Sequence, residues 1–170
     1  MTPSGAVRSF RALVMTAPLL LSGCLYGFTG GGLPRSLRTV AVQPFDNQTA
    51  SSDVQLEVLE EVRKGMRDRL SLREATEAKA HIVVRGTIVS YEVDLPAGVS
   101  ADPRQTTSTR RRLQLVIDIE IIDQATGRSL HTAKGVSTEG LYPEGGEATG
   151  RRTAIETFVT KVVEGMQSQW

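Results

Sequence analysis

Alternation between apolar and polar residues is clearest over residues 112–122. Every second residue there is a large aliphatic one, which is the repeat of a strand with one buried face: Leu113, Leu115, Ile117, Ile119 and Ile121. The next five residues, Asp-Gln-Ala-Thr-Gly, predict a hairpin turn in which Gly127 has a positive φ angle. Weaker alternation from residue 128 to about residue 140 predicts a return strand, whose polarity is typical of a sheet edge.

Two other segments have apolar residues three and four positions apart, which predicts amphipathic helices. The first covers residues 54–70, with N-cap candidates at residues 51–53, and its apolar stripe is Val58, Leu59, Val62, Met66 and Leu70. The second begins near Thr149 or Gly150, and its stripe is Ile155, Phe158, Val159, Val162 and Met166.

Two more strands are predicted, one over residues 37–45 and one from residue 81 to about residue 93. In the first, Val40 and Val42 share a face. In the second, simple alternation puts Ile88 on one face and Tyr91 on the other, and both faces are partly apolar, which favours a central strand. Gly86 indicates a bulge or the close approach of a helix.

The predicted order is therefore β-α-β-β-β-α. We expect an α+β two-layer sandwich with a four-stranded mixed sheet and both helices on one face. A right-handed crossover makes the first two strands parallel, and hairpin connections make the later ones antiparallel. Residues 71–80, 95–109 and 142–150 are predicted as connections, the second of them a long loop.

The start of the chain has the layout of a bacterial export signal. Arg8 and Arg11 precede an apolar run over residues 12–21, and Leu-Ser-Gly-Cys ends at Cys24. This run is too short for a membrane-spanning helix, which needs about 20 residues. We expect a signal peptide over residues 1–23, a glycine-rich tether over residues 24–37 and a single α+β domain over residues 38–170.

Composition excludes several kinds of protein. The formal net charge is +1, so nothing indicates a nucleic-acid partner, and aromatic residues make up only 5%, too few for stacking platforms. Cys24 is the only cysteine, so no disulfide can form within the chain.

Candidate chemistry is sparse as well. Neither His81 nor His131 belongs to a nucleophile, acid–base or metal-ligand pattern, and Asp118 and Glu120 read as a solvent-facing strand surface. We expect no catalytic residues, no metal site and no enzyme activity.

The sequence Leu-Ser-Gly-Cys resembles the lipobox of bacterial lipoproteins. The resemblance implies that the chain is cut before Cys24, whose thiol carries diacylglycerol and whose new amino group carries a third acyl chain. These covalent lipids are the only expected cofactors, and two or more chains hold a protein stably at a bilayer.

Three features together resemble the LptE family of LPS-assembly lipoproteins. They are an aromatic and glycine segment after Cys24, Leu33-Pro34 followed by residues 37–49, Leu-Arg-Thr-Val-Ala-Val-Gln-Pro-Phe-Asp-Asn-Gln-Thr, and the order of elements. The resemblance implies an exported, non-enzymatic protein anchored by lipid in the outer membrane of the Gram-negative envelope. Its implied role is to plug the LPS-transport β-barrel, help it assemble and engage LPS.

Within this resemblance, basic residues are the expected LPS contacts, because lipid A carries phosphates and arginine binds phosphate well. The densest basic run after the signal peptide is Arg110, Arg111 and Arg112, and Arg104 precedes it in the long loop. These four are the predicted LPS-binding residues.

One alternative remains open. The Val-Ala-Val-x-Pro-Phe-x-Asn-x-Thr segment also resembles outer-membrane lipoproteins that activate a peptidoglycan synthase or belong to a secretion complex. Activators of that kind usually have a longer tether, whereas this one spans only ~40 Å when extended. The short tether favours a partner at the membrane itself.

Overall fold

Six strands and two helices are found in the residues that the structure, a computed structural model, describes: 33–34, 36–96 and 110–168. Their bounds are β1 Thr39–Val42, β2 Asp46–Asn47, α1 Ser52–Leu70, β3 Arg73–Glu74, β4 Ile82–Pro96, β5 Arg110–Asp123, β6 Ser129–Pro143 and α2 Glu147–Gln167, with a short 3-10 helix at Glu77–Lys79. The predicted signal peptide, Cys24, most of the tether and Arg104 lie outside the described residues.

The sheet is mixed, with the strand order β3-β1-β4-β5-β6 and β2 paired with β4. β1 runs parallel to β4, and β4, β5 and β6 are successively antiparallel, as predicted. The predicted strand number of four is wrong, because residues 46–47 and 73–74 add two short parallel strands. A two-residue strand is too short to leave a periodic pattern in the sequence.

Both helices bury their apolar stripes against the same sheet face, and a single core results. The alternating aliphatic residues of β5 are each at most 2% exposed, so their prediction is confirmed. The two helices come close enough that a Cβ atom on Gly65 would overlap the side chain of Val159. The α+β class and the one-sided packing of the sheet follow from this shared core.

A bulge in β4 overturns the predicted position of Tyr91. The register with β5 shifts between Ile88 and Ser90, so one extra residue enters β4 there. Because side chains alternate strictly along a strand, one added residue moves all later side chains to the opposite face. Tyr91 therefore lies opposite Leu115 on the helix side.

Gly86 has a different role from the predicted bulge or helix contact. A Cβ atom at this position would overlap the aromatic ring of Phe45, which is itself fully buried. Phe45 thus crosses β4 at the one residue that leaves room for it.

The junction between β6 and α2 also differs from the prediction. Tyr142, expected at the start of a loop, lies within β6 and is 3% exposed, and α2 begins earlier than expected, at Glu147. A Cβ atom on Gly140 would overlap the backbone of Gly150. The first turns of α2 therefore pack directly on the end of β6, a contact between two backbones that alternation cannot reveal.

Candidate ligand site at the strand ends

The predicted arginine run lies where three strands and a helix meet. β4 ends at Pro96, β5 begins at Arg110, and β6 ends at Pro143, shortly before α2. Because β5 is antiparallel to both neighbours, these ends share one edge of the domain. Arg112 is paired with Leu95 on one side and Leu141 on the other. We call residues 92–96, 110–112 and 139–147 the strand-end site.

The structure does not place the three arginines on one surface. Alternation along β5 puts Arg110 and Arg112 on the open face of the sheet and Arg111 on the face that carries the helices. Arg110 is exposed, whereas the other two are half-buried. The run therefore presents two guanidinium groups to one side and a single one to the other.

Arg112 has spare hydrogen-bonding capacity. Its Nη1 lies 3.4 Å from Oε1 of Glu139, and its side chain is 38% exposed. Its Nε is buried and has no hydrogen-bond partner among the described residues. A buried donor without an acceptor is unfavourable, so a ligand oxygen at this position would gain a bond that the protein leaves open.

An apolar surface adjoins these arginines. Leu141 is 54% exposed, although it is a large aliphatic residue. Together with Arg110, Tyr142 and Pro143 it lines a groove of about 470 Å³. A guanidinium group beside an apolar surface suits an amphiphile that carries both an anionic group and hydrocarbon.

A hydrogen-bonded pair fixes the point at which β4 leaves the sheet. The Tyr142 hydroxyl donates to Oδ1 of Asp94 over 3.2 Å and accepts from the Asp94 N–H over 2.8 Å. Burial raises the pKa of Tyr142, so the phenol stays protonated and can act as this donor. Asp94 has a φ angle of 58°, a left-handed conformation that only a few non-glycine residues adopt. The path of the chain into residues 97–109 is therefore set by Tyr142.

Arg151, a basic residue near the start of the last helix, is occupied by protein partners. Its Nε and Nη2 donate to the two carboxylate oxygens of Glu57 over 2.9 and 2.8 Å, and its Nη1 donates to Glu147 over 3.2 Å. The bonds to Glu57, foremost, raise the pKa of Arg151, which stays charged. Since only 19% of its side chain is exposed, Arg151 links α1 to α2 and is not a surface group available to a ligand. The adjacent Arg152 is exposed.

Tyr91 completes this network from the sheet. Its hydroxyl donates to Oε1 of Glu147 over 2.7 Å and lies 3.4 Å from Nη1 of Arg151. Burial is the largest effect on Tyr91 and raises its pKa to about 12. Sequence reasoning missed this network because the bulge in β4 hides the true orientation of Tyr91.

The other polar residues noted in the sequence have structural partners. Asp118 accepts the Gly135 N–H over 2.6 Å, and Glu120 forms a salt bridge of 2.9 Å with Arg85. The part of the chain that the structure describes contains no cluster of three or more metal-ligating side chains. Over the same residues, neither helix combines the length and the hydropathy required to cross a bilayer.

A family model described as LptE, lipopolysaccharide-assembly, matches residues 37–169. None of the curated proteins is significantly similar to the chain. Among solved structures, the PelC dodecamer from Paraburkholderia phytofirmans is 21% identical, with a TM-score of 0.51, and the match covers 82% of this chain and 95% of that one. Protein XCC0632 from Xanthomonas campestris is 7% identical, with a TM-score of 0.52 and coverage of 80% and 90%. At these identities the two structures show a shared fold and nothing further.

Proposed function

The chain belongs to the LptE family of lipopolysaccharide-assembly proteins, and on this basis we propose that it is an outer-membrane lipoprotein that plugs the LPS-transport β-barrel. In this role it assists assembly of the barrel and delivery of LPS to the outer leaflet, and it makes or breaks no covalent bond. The observation that carries the proposal is the family match over residues 37–169, which includes every described strand and helix.

The shape of the domain supports a role inside a larger partner. Both helices cover one face of the sheet, and the other face is left open to a partner. On that open face, Arg85 is balanced by Glu120, and Asp118 and Lys134 line the same groove of about 460 Å³. A mixed, balanced surface of this kind suits contact with polar groups of either sign, as expected of a partner wall that surrounds the domain.

The same proposal assigns LPS contact to Arg104, Arg110, Arg111 and Arg112. Arg112 is the strongest of these, because its buried Nε can donate to a phosphate oxygen. Arg110 and the exposed Leu141 lie beside it, on the same face. The phosphates of lipid A would meet the two guanidinium groups, and the start of an acyl chain would lie on Leu141.

Single substitutions test this assignment. We expect Arg112→Gln to weaken LPS binding by the full-length acylated protein about tenfold, since charge-assisted bonds to phosphate are among the strong ones. Arg110→Gln should have a smaller effect, and both losses should shrink as salt is added. Arg67→Gln is the matched control, because Arg67 is an exposed arginine on α1 that pairs with Asp68. Unchanged affinity in both strand-end variants would exclude the site.

The partner is tested by co-purification of the acylated protein from membranes. Recovery of a large outer-membrane β-barrel supports the proposal, whereas recovery of a peptidoglycan synthase would replace it with the alternative. Mass spectrometry of the same sample tests the lipid anchor. The expected species begins at Cys24 and carries three acyl chains, so a bare thiol behind an intact leader would contradict anchoring.

A further inference from the structure

A second groove lies at the opposite end of the sheet, where the chain enters the domain. Its volume is about 320 Å³, and its floor consists of Leu33, Leu37 and Leu70. Arg38 and Arg69 stand at its sides, and Gln167 at the end of α2 closes it. It is separate from the strand-end site, because β1 and β4 begin at this end and β4 finishes at the other.

The apolar floor is an integral part of the fold. All three leucines are partly buried and pack against the main core. A turn closed by a 2.9 Å hydrogen bond from the Leu37 N–H to the Pro34 carbonyl holds the entering chain in place. The groove is therefore a preformed apolar surface, which a ligand can fill without first ordering the protein.

The charge around this floor has one sign. Among the described residues that line the groove there are two arginines and no carboxylate. Arg69 is held in position by a 2.8 Å hydrogen bond from its Nη1 to Oγ1 of Thr160. A guanidinium group has five N–H donors, so this bond leaves several available. Arginines over a leucine floor complement a molecule with an anionic head and a hydrocarbon tail.

The position of the groove relative to the lipid anchor indicates which molecule that is. Only residues 25–32 separate Cys24 from Leu33, and so short a segment spans at most ~30 Å. With its acyl chains in the bilayer, the protein must keep this end of the domain close to the lipid headgroups. The phosphates of that leaflet are thus the nearest abundant anions.

We propose that this groove binds an anionic glycerophospholipid of the membrane that holds the acyl chains of Cys24, with the phosphate between Arg38 and Arg69 and the first part of an acyl chain over the leucine floor. The inference rests on the acylation of Cys24 that the proposed function includes, and it is independent of LPS binding at the other end. Docking of this kind would fix the orientation of the domain at the membrane surface before it meets a partner.

The test uses the full-length acylated protein in phosphatidylcholine nanodiscs that contain a photo-crosslinkable phosphatidylglycerol. We expect crosslinks on peptides that include residues 33–38 and 69–73. The variant Arg38→Gln/Arg69→Gln should lose about tenfold of this crosslinking, since each basic group near an anionic surface contributes about a fivefold preference. The matched control is Arg110→Gln/Arg112→Gln at the other end, which should retain it.

Two further variants and probes keep the result decisive. Thr160→Val removes the hydrogen bond that orients Arg69 but leaves its charge, so a purely structural effect would appear there as well, and we expect most crosslinking to remain. Equal crosslinking by a phosphatidylcholine probe, or no loss in the double variant, would overturn the inference. Competition by LPS but not by added phosphatidylglycerol would do the same, because it would assign the groove to LPS.

The two proposals fail in distinguishable ways. If the double variant Arg38→Gln/Arg69→Gln crosslinks normally while Arg112→Gln loses LPS binding, only the phospholipid inference is wrong. If crosslinking depends on the groove arginines but no strand-end variant affects LPS, only the LPS assignment is wrong. A bare Cys24 would overturn both the anchor and the phospholipid site.

Discussion

Replacement of Arg151 by methionine should destabilise the domain while LPS binding stays unchanged. Methionine keeps much of the aliphatic volume of arginine and removes its charge. The change eliminates two hydrogen bonds to Glu57 and one to Glu147, which together join α1 to α2. The matched control is Arg152→Met, at the adjacent, exposed position.

The magnitude follows from the exposure of the partners. A fully buried charge left without its partner costs about 3–5 kcal/mol, but Glu57 and Glu147 are 41% and 46% exposed and can be rehydrated. An exposed ion pair contributes only about 0.2–1 kcal/mol, whereas Arg151 is just 19% exposed and is bidentate. We therefore expect a loss of about 2 kcal/mol, between these limits. For a domain of this size the midpoint of thermal unfolding should fall by about 6 °C.

Urea unfolding and thermal unfolding of both variants supply the measurement. A double-mutant cycle with Glu57→Gln should give a coupling free energy of about 1 kcal/mol, because the two side chains share two direct bonds. The reasoning is refuted if Arg151→Met is no more destabilising than Arg152→Met. It is also refuted if Arg151→Met lowers LPS affinity at unchanged stability, since Arg151 would then be an anion contact.

Two other predictions concern the packing of α2 on β6. Gly140→Ala should cost about 3 kcal/mol or more in urea unfolding, because the new Cβ would overlap the backbone of Gly150, which no rotamer change can relieve; a stability within 1 kcal/mol of the parent, as expected for the control Glu144→Ala at an exposed position, would argue against this contact. His131, whose ring fills the space beside Gly165, has a pKa lowered by burial. The unfolded chain therefore binds the proton more readily, and the free energy of unfolding should fall as the pH drops below about 6.5 and level off once the pH is below the folded-state pKa. This contribution to the slope should be absent in His131→Gln, and identical pH profiles would contradict it.

The balance of the two arginine pairs decides how the ends of the molecule can be used. Arg110 and Arg112 lie beside the exposed Leu141 at one end, and Arg38 and Arg69 lie over buried leucines at the other. If both proposals hold, the domain has two lipid contacts, one to the membrane that anchors it and one to the LPS that it helps to deliver. The LPS and crosslinking assays address these contacts separately.

Most of the secondary structure could be predicted because it depends on local periodicity. The β5 alternation, the hairpin at Gly127 and the two helical stripes are repeated over several residues, so single deviations do not obscure them. The bounds were less accurate where the pattern fades, as at Tyr142 and at the start of α2. The strand number was wrong because β2 and β3 consist of two residues each.

The candidate site could be predicted only in part. The run Arg110–Arg112 is conspicuous in the sequence, and its location at a strand end is confirmed. The division of these residues between two faces follows from the strand, and the spare donor of Arg112 depends on its neighbours in space. Its role in LPS binding stays a prediction.

The sequence by itself determined the class of the fold, the order of the main elements and the family, because these rest on residue patterns along the chain. Only the tertiary structure decided that Arg151 is bound by Glu57, 94 residues away, and that Tyr142 holds Asp94 across 48 residues. It also decided the orientation of Tyr91, which one extra residue in β4 reverses. Such contacts depend on which distant groups folding brings together, and a period of two or of 3.6 residues contains no information about that.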